Sequence, residues 1–159
     1  MRFRNLTAVV LTMLAACPAG HASADQELPV VQQWSGQYGG AEAGERVVVT
    51  TPQQWRDVWA RTRAASKPTT RPAPDPPAID FAAQTALAVF MGRQRTGGYR
   101  IEVTRVERAR DGSATAYVRE TRPGRDDVVT TVLTSPWHVV VIDGKVEATS
   151  ARFVEDAGP

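Results

Sequence analysis

Ser135 and His138 stand three residues apart in Ser-Pro-Trp-His-Val-Val-Val, and Glu120, Asp126, Asp127 and Asp143 supply carboxylates on either side. A hydroxyl, an imidazole and a carboxylate are the parts of acyl-transfer chemistry, in which the imidazole takes the hydroxyl proton and the carboxylate orients the ring. The surrounding pattern does not build that machine. There is no glycine-flanked nucleophile turn, and His138 lies in a strand whose valines alternate around it. Asp126 and Asp127 are adjacent, so on a strand their side chains point to opposite faces and do not cooperate. His138 therefore reads as a structural histidine. No Gly-x-x-x-x-Gly-Lys phosphate loop and no metal-ligand spacing occurs, so the expectation is a non-enzyme without cofactor or metal.

A second chemistry is contact through a loop. Arg-Gln-Arg-Thr-Gly-Gly-Tyr-Arg-Ile-Glu-Val, residues 93–103, sets two glycines and a tyrosine between basic residues and an alternating run. Gly97 and Gly98 allow positive φ and close backbone approach. Tyr99, Ile101 and Val103 share one strand face, and Arg100, Glu102 and Thr104 the other. The stretch is either plain hairpin geometry or a rigidly launched contact loop, in which case Gly97 and Gly98 are exposed at its tip. Arg93, Arg95 and Arg100 cluster locally, which reads first as a solvated surface and second as an anion site. The candidate contact residues are Arg95, Thr96, Gly97, Gly98 and Tyr99, with Pro136 and Trp137 as a neighbouring second loop.

These residues need a frame. Thr51-Pro52-Gln53-Gln54 is a capping box with proline at the first helical position, and it predicts a helix over about 52–64. Trp55, Val58, Trp59 and Thr62 recur on one face of it and should anchor it to a sheet. Strands are expected at 46–51, 86–91, 99–106, 114–120, 128–134, 137–142 and 146–154, the last two joined as a hairpin by Asp143-Gly144. Residues 86–91 are continuously apolar, as in a strand covered on both faces. Asp80 caps a single turn through Gln84. The stretch 66–77 holds five prolines and reads as an extended surface loop. The fold class is α+β: an antiparallel-rich sheet or small sandwich packed by one main helix. Residues 34–154 form one domain, and 25–33 a short tether.

The beginning of the chain has a different purpose. Arg2 and Arg4 precede an apolar run from Leu6 to Ala16 that is too short to span a bilayer, and Ala22-Ser23-Ala24 supplies a small-x-small cleavage site. Residues 1–24 read as an export signal cleaved after Ala24, which places the protein in the periplasm or the medium. Leu14-Ala15-Ala16-Cys17 resembles a lipobox, so a membrane-anchored lipoprotein lipidated at Cys17 is the alternative. Two of the 19 Lys and Arg residues and none of the 17 Asp and Glu residues lie in 1–24, so the remainder carries 17 of each. A formal net charge of zero gives no basis for nucleic-acid binding, which needs a basic excess to release counterions. Cleavage after Ala24 also removes Cys17, the only cysteine, and with it any disulfide or thiol chemistry.

Taken in order, Trp34-Ser35-Gly36, Gln54-Trp55 with Trp59, Ile79-Asp80-Phe81, Leu87 through Gly92, Thr96-Gly97-Gly98-Tyr99, Arg119 through Gly124 and Ser135-Pro136-Trp137-His138 resemble the PrcB family of protease-complex subunits, in its C-terminal domain. The resemblance covers about residues 35–142. It implies a non-enzymatic, exported or lipid-anchored domain that binds another protein, and in the case that names the family associates with and supports a secreted serine protease. Thr96-Gly97-Gly98-Tyr99 is also similar, at three of four positions, to the Thr-Thr-Gly-Tyr loop of chagasin-like cysteine protease inhibitors, which implies a wedge for a protease cleft. A small-molecule or envelope-binding domain floored by the tryptophans is a further alternative. Exposure of Trp55 and Trp59 would favour it, and burial would favour the protein-binding module.

Overall fold

The structure is a computed structural model, and it describes residues 25–64 and 75–156. The export signal, Cys17 and the Ala24 cleavage site lie outside the described residues, as does most of the proline-rich stretch. Among the described residues eight strands and one α-helix follow one another: β1 (Gln26–Glu27), β2 (Val30–Gly36), β3 (Glu45–Val49), α1 (Pro52–Arg63), β4 (Gln84–Phe90), β5 (Arg100–Arg108), β6 (Ala114–Thr121), β7 (Trp137–Asp143) and β8 (Ala151–Glu155). They form two four-stranded sheets. Sheet I has the order β2-β7-β4-β3 and is antiparallel throughout, whereas sheet II has the order β1-β5-β6-β8 and takes β8 in parallel to β6. With α1 on the outer face of sheet I, the molecule is a small α+β sandwich in three layers.

Hydrophobic alternation decides the layering. In β7, Trp137, Val139 and Val141 point to the helix, while Val140 and Ile142 point to sheet II. In β4, Ala86, Ala88 and Phe90 face the helix and Leu87 and Val89 face sheet II, which is why this strand carries no polar residue after Thr85. Sheet II answers with Ile101, Val103, Val106, Ala114, Ala116 and Val118. Each fully covered large aliphatic or aromatic side chain contributes about 1.5–3 kcal/mol by leaving water.

The helix begins as its sequence requires. The Gln54 amide donates to the Thr51 hydroxyl at 3.3 Å, and the Thr51 amide donates to the Gln54 side-chain oxygen at 3.2 Å. Trp55 and Trp59 are 3% and 7% exposed and pack with Trp34, their ring centroids 5.2–5.6 Å apart. They anchor the helix, which removes the reading that makes them the floor of a ligand site. The Trp55 indole N–H also donates to the Pro77 carbonyl at 2.8 Å, fixing the return of the chain after the proline-rich stretch. Asp80 closes its turn as expected, accepting the Ala82 amide at 3.0 Å.

Three expected elements are corrected. Residues 25–33 are not a tether, because Gln26–Glu27 and Val30 onward are strands and Leu28 is buried in the inter-sheet core. Residues 128–134 form no strand: only Thr134 makes a bridge, to Gln94, and Val128 is fully exposed. Asp143-Gly144 does not fold the chain back onto β7. The Gly144 amide donates to the Ala83 carbonyl at 3.0 Å and the Val146 amide to the Thr85 hydroxyl at 3.0 Å, so the chain is led across to sheet II, where a 3₁₀ turn (Ala148–Ser150) precedes β8.

Candidate partner-binding groove

Sheet II is incompletely edged. β1 pairs with β5 only at Glu107 and Arg108, and the Leu28 amide closes that contact by donating to the Val106 carbonyl at 2.8 Å. The chain then crosses through Pro29 into sheet I and becomes β2. The other half of β5, Arg100 to Val103, has β6 on one side and, among the described residues, no strand on the other. β2 is itself the outer strand of sheet I and presents Gln33 and Ser35 to solvent. Between the two edges the sandwich is open.

His138 lies at the bottom of this opening. Its position in β7 puts it in line with Val140 and Ile142, facing the inter-sheet space, and it is 7% exposed. Its Nδ1 accepts the Val103 amide at 2.9 Å. A ring that accepts through Nδ1 carries its proton on Nε2 and is neutral. Burial pushes the His138 pKa below its ordinary value of 6.5, with a smaller opposing pull from the charge of Glu102. Ser135 does not meet it as a nucleophile would, because the Ser135 hydroxyl donates to the Ala41 carbonyl at 2.9 Å. Among the described residues no cluster of three or more His, Cys, Asp or Glu side chains is arranged to hold a metal.

Three adjoining hollows of about 560, 270 and 580 Å³ run along the β5 edge, and Glu102 lines all of them. Gln33, Ser35, Thr104 and His138 line one end, and Tyr38, Gly97, Gly98, Thr130 and Thr134 the other. The charged lining side chains are Arg100, Glu102 and Arg119. Arg119 is engaged, with Glu102 at 3.7 Å and Asp156 at 2.9 Å. Arg100 is exposed and makes no ion pair with a described residue.

The glycine loop closes the far end of the groove. It is clasped, not projecting: the Gly97 amide donates to the Thr130 carbonyl at 2.9 Å, and the Thr134 hydroxyl donates to the Thr96 carbonyl at 2.8 Å. Gly98 has φ +86°, which explains the glycine, and a Cβ there would lie 2.9 Å from Val129 and 3.0 Å from Pro123. Tyr99 packs against the inter-sheet core. Gly97 is buried, contrary to the expected exposure of both glycines, while Gly98 and Arg95 are exposed and Thr96 is half-buried. The segment 123–134, whose residues 128–134 were expected to be a strand, supplies the clasp.

Pro136 and Trp137 sit differently from a second exposed loop. Pro136 is buried and its carbonyl accepts the Met91 amide at 2.9 Å. The Trp137 ring lies beneath Gly36 and Gly39, so close that a Cβ on Gly36 would stand 2.7 Å from the indole nitrogen. Trp137 is 9% exposed and reaches the groove by its edge. Gln33 falls in the segment expected to be a tether, and Ser35 and Arg119 stand in ordered stretches whose local pattern carries no sign of a groove, so none of the three is a candidate from the sequence. The one available signal was the polar face of Arg100, Glu102 and Thr104.

Residues 85–143 match the family model described as PrcB C-terminal, the family that the sequence resembles. The matched span runs from β4 through β7 and so includes the open half of β5, the glycine loop and its clasp, and His138. No curated protein and no solved structure matches the chain.

Proposed function

We propose that the chain is an exported, non-catalytic module that binds another protein and associates with or steadies a secreted or envelope protease. The observation that carries this reading is the open half of β5: a strand edge left unpaired beside a rigidly held loop, within the span that matches a family described by a protease-complex subunit name. An unpaired edge with pockets for alternate side chains is a common way to hold another chain. His138, whose Nδ1 is occupied by a backbone amide, acts as a structural acceptor. A chagasin-like wedge is disfavoured, since Gly97 is buried and tied to Thr130. Export follows from residues 1–24, with Asp25 as the mature N-terminus. Cys17→Ser should then leave the mass and solubility of the exported protein unchanged, whereas a lipidated Cys17 in the membrane fraction would give the lipoprotein instead.

The test is affinity capture of the tagged mature protein from the producing cell's envelope and medium, read by quantitative mass spectrometry. The expected result is an exported protease retained in a fixed ratio to the bait. Failure to retain any exported protein reproducibly would contradict the reading, as would a hydrolytic activity that purifies with the bait and vanishes in a folded His138→Ala variant.

A further inference from the structure

Resting on that reading, we infer that the hollow in front of His138 is a subsite for one side-chain carboxamide of the partner, a Gln or Asn whose oxygen accepts from His138 and whose nitrogen donates to Glu102. The accessible walls of this hollow are side chains. Gln33 and Ser35 of β2 are exposed on one side of it, and Glu102 and Arg119, whose side chains are 36% and 40% exposed, stand on the other. His138 forms the floor. No backbone group of β5 takes part, since Ile101 and Val103 are buried and the Val103 amide is already bonded to His138.

The Val103 amide fixes what His138 can offer. Because Nδ1 accepts that N–H at 2.9 Å, the ring keeps its proton on Nε2 and presents one donor and no free acceptor. Nε2 makes no hydrogen bond with a described residue and is not sealed off, so it opens to the hollow that the residue lines. The same geometry refuses a metal ion. Ligation through Nε2 needs that nitrogen bare, and the displaced proton cannot move to an Nδ1 that faces a backbone N–H. The floor therefore selects an oxygen acceptor.

The wall selects the rest of the group. The Glu102 carboxylate only accepts, and it makes no hydrogen bond to a described residue, since Arg119 stands off at 3.7 Å. It lies close enough for its charge to act on His138. A ligand carboxylate would meet that charge, and an ammonium would face the His138 N–H and the Arg119 guanidinium. A neutral group with an acceptor and a donor side by side satisfies both neighbours. A side-chain carboxamide carries its C=O and one N–H on the same side of a rigid plane. A main-chain amide does not, because in the trans peptide its N–H and C=O point in opposite directions and cannot both turn into one hollow. Gln33 and Ser35 are neutral and leave this choice to His138 and Glu102.

The test pans a phage-displayed library of random nine-residue peptides against the mature protein. Enriched sequences should share Gln or Asn at one constant position. In a synthetic peptide of the enriched sequence, exchanging that residue for Glu or Asp should weaken binding to the wild type by about tenfold or more. Glu102→Gln should restore binding of the acidic peptide, because the new amide donates to it and the repulsion is gone. Recovery also shows that the substitution has not unfolded the protein. In nitrogen–proton correlation spectra of the histidine rings, the His138 Nε2–H signal should move when the amide peptide is added. Enrichment without an amide preference, or no enrichment, would overturn the inference. So would equal wild-type affinity for the amide and acidic peptides, or a His138 signal unmoved at saturation. Enriched Asp or Glu would overturn it as well, and would assign the hollow to Arg100 and Arg119. In any of these cases an exported protease retained in capture still supports the binding reading, and only the carboxamide subsite falls.

Discussion

Sheet II leaves half of β5 unpaired on one side and the end of β6 unpaired on the other, and the molecule treats the two edges differently. β8 follows β6 only as far as Val118, and the strand beyond it carries Glu120, which is held by Arg46 of β3 at 3.1 Å and by Arg122 at 3.4 Å. That edge is stapled to the other sheet by charge. The edge of β5 has one neutral histidine on one amide, a hollow in front of it, and an Arg100 with no ion pair to a described residue. Unpaired strand edges invite foreign strands, and proteins normally cover them with charge, bulges or loops. The hollow in front of β5 makes that side the candidate binding surface.

The largest effect should come from the core between α1 and sheet I, on which the whole sandwich rests. Phe90 is fully buried under α1, and Phe90→Ala should cost about 3–5 kcal/mol in chemical denaturation, abolishing any difference between the edges by loosening both. A smaller loss belongs to the clasp at the end of the open edge. Gly98→Ala forces a positive φ on a residue with a Cβ, at about 1–2 kcal/mol, and adds contact with Val129 and Pro123. Gly112 has a similar φ of +82° with nothing within 4 Å of a Cβ, so Gly112→Ala should show the backbone cost alone. Equal losses at both sites would mean that the clasp does not grip.

The histidine distinguishes the edges by pH. Because burial holds the folded pKa of His138 below 6.5, the unfolded chain binds the proton first. Its contribution to stability is whole above about pH 6.5 and is lost as pH falls toward the folded value. The fall in stability between pH 7 and pH 5 should therefore be shallower in His138→Gln than in wild type, and identical slopes would place His138 outside the titration. Smallest is the staple itself. Glu120→Gln removes two partly exposed ion pairs and should cost under about 1 kcal/mol, against no measurable change for Arg100→Ala.

Much of this frame was legible in the residues. The capping box, the helical spacing of Trp55, Val58 and Trp59, and the unbroken apolar run of β4 each follow from one local pattern, and each formed where it was expected. What failed depends on partners far away in the chain. β2 reads Val-Val-Gln-Gln-Trp-Ser-Gly because one of its faces holds Trp34 over the helix while the other lines an open groove, so it lacks the alternation of a covered strand. Residues 128–134 are rich in valine and threonine and yet clasp the glycine loop as irregular chain, because β propensity without a free neighbour makes no strand. The Asp143-Gly144 turn had the composition of a hairpin, but Ala83 and Thr85 took its amides and sent β8 to the other sheet. The groove was invisible for the same reason: it is made by the place where β1 stops pairing, and pairing length is not written in any single segment.

Obstructing the groove without disturbing its walls tests most directly whether the open edge is the binding surface. Ser35 is exposed on β2 and faces the hollow, so Ser35→Tyr should fill it while leaving the ladder with β7 intact; Val128→Ser, at a fully exposed position absent from the groove lining, is the control. The dissociation constant for the captured partner and the melting temperature are to be measured on the same samples. The expected result is a loss of affinity of about tenfold or more for Ser35→Tyr, with unchanged melting and with Val128→Ser binding like wild type. Wild-type affinity in a folded Ser35→Tyr protein would show that the partner binds elsewhere and that the open edge is only where the sheet ends.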